Sequence, residues 1–212
     1  MIQATSTTQK VFSDEHWRKT VQLYKDFLFS TQKLASYSDF VPMDEYKPIF
    51  EKMFAYFKEK EPKKGLLLFG LTGNFKTSAI LFFQMLCNEF KQYEHNRFKY
   101  VSCSDIIWTL MYQNNLASVR KYMEGSIKDN DSYCFEELGR EPLYSNFGNQ
   151  INIMASIIDY RDKKGLLTHY VTNSNLPELE KKYGSHVLGR IVDKTVRIEF
   201  PEVNHRLRDI KR

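Results

Sequence analysis

Eight consecutive residues have the types and spacing to hold a phosphate: Gly70, Leu71, Thr72, Gly73, Asn74, Phe75, Lys76 and Thr77. Set between an apolar strand and a helix, such a turn aims backbone amides at phosphate oxygens. A lysine then reaches the terminal phosphates and a hydroxyl holds a magnesium ion. Against the P-loop pattern GxxxxGK[ST], every fixed position matches except one, where Phe75 stands in place of the second glycine. Glycine there lets the backbone come close to phosphates and adopt torsions that a side chain resists. Phenylalanine is therefore expected to distort the cradle or weaken its affinity. The plainer reading is a glycine-punctuated turn with a solvated Lys76.

A second constellation lies about 60 residues downstream, where the apolar Tyr133-Cys134-Phe135 ends in Glu136 and Glu137. Beside a P-loop, the first acid of such a pair helps hold magnesium and the second positions an attacking water. Glu136 stands where aspartate is usual, and its extra methylene moves the carboxylate outward by roughly 1.5 Å. On its own, an acidic pair after a strand is a solvated loop. A third candidate is Thr172-Asn173-Ser174-Asn175. Polar groups at the carboxyl edge of a central strand sit beside the nucleotide in doubly wound folds; equally, this is an Asn/Ser turn capping the helix that starts at Leu176. Arg190 and Arg206 can supply positive charge to a phosphate, or remain surface cations.

These groups need elements to carry them. From Ser13 to about Ala35, Trp17, Val21, Tyr24, Phe27, Leu28 and Leu34 recur at helical spacings behind an N-cap and an acidic first turn. A second helical pattern runs from about Met43 or Tyr46 to Lys60, with Pro48 in its first turn. The connector Glu59 to Lys64 places a boundary near Pro62, dividing a helical appendage, 1–61, from a main domain, 62–212. Strand patterns then fall at Gly65–Gly70, Phe98–Cys103, Ser132–Glu136, Gly165–Val171 and Thr195–Phe200. Helical patterns fall at Lys76–Glu94, Ser104–Asn114, Ser118–Glu124, Asn149–Lys163, Leu176–Tyr183 and His186–Val192. Strands alternating with helices predict an α/β fold, a parallel five-stranded sheet covered by helices.

Composition narrows the classes further. The 212 residues are 42% hydrophobic and 15% aromatic, which excludes a disordered chain. Thirty-one Lys and Arg against 26 Asp and Glu give +5, a balance that permits an anionic partner without requiring one. Cys87, Cys103 and Cys134 form no CxxC pair, so reduced thiols in a cytoplasmic compartment are expected. No apolar run approaches the roughly 20 residues that span a bilayer, and no membrane partner is expected.

Taken together, GLLLFGLTGNFKTSA, FEELGREP and NIMASIIDYRDKKGLLTHYVTNSNLPELEKKYGSHVLGRIVD resemble the AAA+ ATPases of the DnaC/IstB kind, helicase loaders and transposition ATPases, over about Lys64 to Arg206. The resemblance implies a P-loop NTPase core binding ATP and Mg2+. Gly70 to Thr77 become the Walker A loop, with Thr77 and Glu136 on the metal and Glu137 the second Walker B acid. Asn175, or the adjacent Thr172 and Asn173, takes the sensor 1 position. Arg190 takes the place of the arginine finger, which acts on a neighbouring subunit's nucleotide, and Arg206 that of the sensor 2 arginine. Implied partners are single-stranded DNA, a replicative helicase and further copies of the chain in an arc or ring. Two departures, Phe75 and Glu136, leave a slow or lost ATPase open. Trp17, Phe27 and Phe29 could dock the appendage on a partner or pack on their own core. The pairs Lys63-Lys64, Lys163-Lys164 and Lys181-Lys182 could meet DNA phosphates or remain solvated.

Overall fold

The structure, a computed structural model, describes residues 13–31, 44–113, 117–124, 132–146 and 148–201. The chain divides into two compact units, 1–51 and 52–212. That division falls within a helix and ahead of Pro62, where composition places it.

In the first unit, α1 spans Asp14–Ser30, with the Ser13 side chain accepting the His16 N–H. A short 3-10 turn, Asp44–Tyr46, leads into α2, Lys47–Lys58. The Trp17 ring meets Phe50 edge-on at 5.8 Å and its Nε1 donates to Asp44 at 3.0 Å. Trp17 and Phe27 are therefore buried, whereas Phe29 and Leu23 are 44% and 49% exposed.

The second unit contains β1 (Gly65–Phe69), α3 (Lys76–Glu89), β2 (Lys99–Ser102), α4 (Cys103–Gln113), α5 (Ala117–Glu124) and β3 (Tyr133–Glu136). It continues with β4 (Tyr144–Asn146), β5 (Asn149–Ile151), α6 (Ile153–Lys163), β6 (Thr168–Val171), α7 (Leu176–Asp193) and β7 (Thr195–Glu199). One sheet runs in the order β2-β3-β6-β1-β7. Every pairing in it is parallel, so the predicted five-stranded α/β sheet is what forms. All five C-terminal strand ends, and the loops after them, share one edge.

Leu66, Leu67 and Leu68 are wholly buried. Each such side chain contributes about 2 kcal/mol relative to exposure, which is why GLLLFG reads so clearly as a central strand. On α2, Phe57 stacks on Phe83 of α3 at 4.9 Å, so this half of the helix belongs with the sheet. Among these rings lies His169 of β6, its Nδ1 accepting the Leu66 N–H at 3.1 Å. Its Nε2 is buried and finds no partner among the described residues. Burial holds its pKa down at about 3.

Three boundaries differ from expectation. The first turns of the expected 149–163 helix are instead β5, paired antiparallel with β4. The helix begins only after Asn152, whose side chain accepts the Ala155 N–H. After Glu89 the chain leaves the α-helix for a 3-10 segment, Lys91–Asn96. The two short helices expected beyond Leu176 join into α7, with non-helical torsions at Gly184 (φ 81°, ψ 158°) marking the break between them. Cys87, Cys103 and Cys134 are buried free thiols. Among the described residues, no helix is long and apolar enough to cross a membrane.

Candidate nucleotide-binding site

The loop from Gly70 to Phe75 joins β1 to α3 at the C-terminal edge of the sheet. Gly70 has φ +133°, and a Cβ there would stand 2.8 Å from the Phe200 carbonyl oxygen and 2.9 Å from Asn74 Nδ2. Only glycine lets the turn pass so close to the end of β7. Asn74 fastens the same region, donating from Nδ2 to Pro201 O at 3.2 Å. Phe75 adopts φ 63° and ψ 9°, the left-handed conformation. Phenylalanine thus holds torsions that glycine adopts freely, at a strain of about 1–2 kcal/mol.

Phe75 caps α3 without a side-chain hydrogen bond, leaving the first N–H groups of the helix free of a side-chain cap. Lys76 is only 4% exposed. Its ammonium donates to Gly70 O at 2.8 Å, Leu71 O at 2.7 Å and Asn74 Oδ1 at 2.8 Å. Burial, helped by the Arg140 charge, lowers its pKa to about 8. Thr77 Oγ1 donates to Glu136 Oε1 at 2.6 Å, so the longer glutamate side chain ends against the hydroxyl. On the other side, Tyr100 of β2 hydrogen-bonds Glu136, and burial with that carboxylate holds its phenol well above the usual range.

Glu137 leaves β3 in a left-handed conformation, φ 54°. Its loop is held by a buried network. Leu138 N donates to Val171 O, and Thr172 Oγ1 to Leu138 O at 2.6 Å. Gly139 N donates to Glu141 Oε2 at 3.0 Å and to the Tyr183 hydroxyl at 2.9 Å, which itself donates to Glu141 Oε1 at 2.7 Å. Lys182 donates to Gly139 O at 2.9 Å and pairs with Glu141 at 3.2 Å. Lys182 therefore faces this network and is neither of the two things expected of the 181–182 pair, a solvated cation or a free one. Lys163 pairs with Asp159 at 2.6 Å.

Asn175 caps α7 in a reciprocal box with Glu178, each bond 2.9 Å. Its side chain is occupied as a helix cap and exposed, the plainer of the two sequence readings. Thr172 is taken by Leu138 O, leaving half-buried Asn173 as the sensor 1 candidate without a side-chain hydrogen bond among the described residues. Arg190 lies far down α7, at the opposite edge of the sheet, where it lines a cavity with Gly65 and Thr168, the first residues of β1 and β6. It is held by Asp162 at 2.6 Å and Asp159 at 3.1 Å. It therefore stands away from the Gly70–Thr77 loop of its own chain. Arg206 lies outside the described residues.

The structure therefore brings Gly70–Thr77, Glu136 and Glu137 to one edge. It adds residues to which the sequence reading gave no part in this site: Arg140, whose Nη2 donates to Thr72 Oγ1 at 3.2 Å, Tyr100, and the Glu141–Lys182–Tyr183 network. Arg140 follows the acid pair by one turn, Arg140 N donating to Glu137 O; that spacing was its only sequence signal. No cluster of three metal-ligating side chains occurs among the described residues. The donor set instead suits magnesium, which takes few protein ligands and keeps phosphate oxygens and waters. Amides, lysine, hydroxyl and carboxylate fit a magnesium nucleotide.

Neither a family model nor a curated protein sequence matches the chain. Solved structures do. A DnaC helicase loader aligns at 21% identity over 72% of this chain and 87% of its own, with a TM-score of 0.52. DnaI aligns at 18% over 74% and 84%, also with a TM-score of 0.52. A replication initiator DnaA bound to AMPPCP and single-stranded DNA aligns at 10% over 82% and 54%, with a TM-score of 0.53. At these identities the likeness shows the fold alone: a five-stranded parallel sheet covered by helices, as in these helicase-loader and replication-initiator structures.

Proposed function

We propose that this chain is an ATP-binding AAA+ protein of DNA replication that assembles on single-stranded DNA and loads or remodels a replicative helicase. The observation that carries the proposal is the meeting of Thr77 and Glu136 at 2.6 Å beside the Lys76 loop, across 59 residues of sequence. In this reading the amides at the start of α3 and Lys76 bind the phosphates, and Thr77 and Glu136 hold magnesium. Glu137 orients a water. The metal, when bound, neutralises charge developing on the phosphate oxygens. Asn173 senses the phosphate, and Arg190 reaches a neighbour's nucleotide once released from Asp159 and Asp162. Single strands find an aromatic face on α4, where Trp108 and Tyr112 are 52% and 89% exposed, four residues apart; bases stack on such faces without sequence preference.

Nucleotide binding is the first step and the one to test. Titration of magnesium-ATP into wild type and Lys76→Ala is expected to show binding that the variant loses. No binding by wild type at millimolar nucleotide would falsify the proposal. The second reading is an adaptor that keeps the fold and binds a protein partner without hydrolysis. Phe75 supports it, because a half-buried phenyl ring stands at the loop's last turn position. An IstB-like role in transposition shares the same core, and a transposase gene beside this one would favour it.

A further inference from the structure

We propose that Arg140 is a phosphate-binding residue supplied in cis, its guanidinium gripping the terminal phosphate of the nucleotide held by the Gly70–Thr77 loop. The proposal rests on the nucleotide reading above and adds a residue to that site. Arg140 is exposed, and its bond to Thr72 Oγ1 at 3.2 Å carries it from the acid loop to the phosphate loop. That bond occupies one of five guanidinium donors. Arg140 forms no ion pair among the described residues, whereas Arg190 is held by two carboxylates at the far edge of the sheet.

Lys76 and Arg140 occupy different levels of the site. The lysine is buried in the floor and saturated by three acceptors of its own loop, so it acts as a point charge beneath an anion. The arginine stands at the rim, where its planar fork matches two phosphate oxygens at once. The two cations are near enough that Arg140 contributes to the lowered pKa of Lys76. Such a like-charge pair is an electrostatic cost that an anion placed between them removes.

The backbone beneath Arg140 is also fixed in advance. Arg140 N is bonded to Glu137 O, Gly139 is bonded at both its N–H and its carbonyl, and Leu138 N is tied to β6. A guanidinium on a rigid loop loses less entropy on gripping a ligand than one on a free loop. A terminal phosphate at the rim gives Arg140 a second consequence: the residue should distinguish a triphosphate from a diphosphate.

The test is titration of fluorescent ATP and ADP analogues, with magnesium constant, into the 212-residue wild type, Arg140→Ala, Arg140→Lys and Lys76→Ala. Melting temperatures are recorded without nucleotide. Arg140→Ala is expected to weaken ATP binding by about tenfold to a hundredfold, the scale of a charge-assisted contact, and ADP binding by no more than about threefold. Its nucleotide-free melting temperature should stay at the wild-type value, and Arg140→Lys should fall between. The proposal is overturned if Arg140→Ala binds ATP as wild type does, or loses ATP and ADP equally with a fallen melting temperature. If Lys76→Ala then still abolishes binding, nucleotide binding by this chain stands and only the role of Arg140 is lost. If wild type binds neither nucleotide, both proposals fall.

Discussion

Phe75, expected to distort the loop or weaken its affinity, takes left-handed torsions that glycine adopts freely. Sequence shows which side chain is unusual but not whether the backbone yields to it, since Gly70 and Asn74 anchor this loop through contacts with the end of β7. Even if all of a strain of about 1–2 kcal/mol were released on binding, it would correspond to at most a factor of about thirty in an equilibrium constant. Phe75→Gly is accordingly expected to change magnesium-ATP affinity by under about thirtyfold. A gain of about a hundredfold or more would mean that the ring blocks the cradle and would favour the adaptor. Lys76 supplies a pH signature. Its ammonium attracts phosphate and is held at a pKa of about 8 rather than 10.5, so affinity should hold below pH 8 and fall as the pH rises through it. Calorimetry in buffers of different ionisation enthalpy should show proton uptake on binding near pH 8; flat affinity to pH 10 would contradict the burial of this charge. Arg140 was illegible in sequence because its partner Thr72 is 68 residues away.

At the scale of elements, β1, β3 and β6 were legible as apolar runs because each is buried over most of its length, whereas β2 and β7, at the two edges of the sheet, are largely half-buried or exposed. The β4–β5 hairpin was not, because strands of three residues, Tyr-Ser-Asn and Asn-Gln-Ile, are too short to carry an apolar run or a usable alternation. Asn152 explains the helix boundary there: an Asn cap starts α6, and nothing in the preceding residues needs to be helical. The loop from Glu137 to Glu141 depends on α7 for its shape, chiefly through Tyr183. Tyr183→Phe removes the hydroxyl that accepts the Gly139 N–H and donates to buried Glu141. It should lower unfolding free energy by about 1–3 kcal/mol, read as a lower denaturation midpoint. A midpoint equal to that of wild type would mean that water replaces the hydroxyl without loss.

For the molecule as a whole, one buried ring in the core couples stability to acid. Burial holds the pKa of His169 at about 3 when folded, against 6.5 for an ordinary histidine. The folded state therefore holds the neutral ring while the unfolded chain takes up a proton. Its contribution is complete above pH 6.5 and is drawn down as pH falls toward 3, by about 1.4 kcal/mol per unit in that window. Between pH 6.5 and 5, where ordinary carboxylates scarcely titrate, wild type should lose melting temperature steadily, and His169→Gln, with no ionisable ring, should show a flatter profile. Equal slopes would place the acid sensitivity elsewhere. The +5 charge said little about any of this: of the lysine pairs it offered, Lys182 turned out to brace the acid loop and Lys163 to pair with Asp159. The break at Gly184 divides α7 into two working parts. The N-terminal part carries Lys182 and Tyr183 against the loop of acids, and the C-terminal part carries Arg190 at the other edge of the sheet. A change in two torsions at a single residue would thus swing the arginine like the arm of a crank, while the edge of the sheet that carries Gly70–Thr77 stayed still.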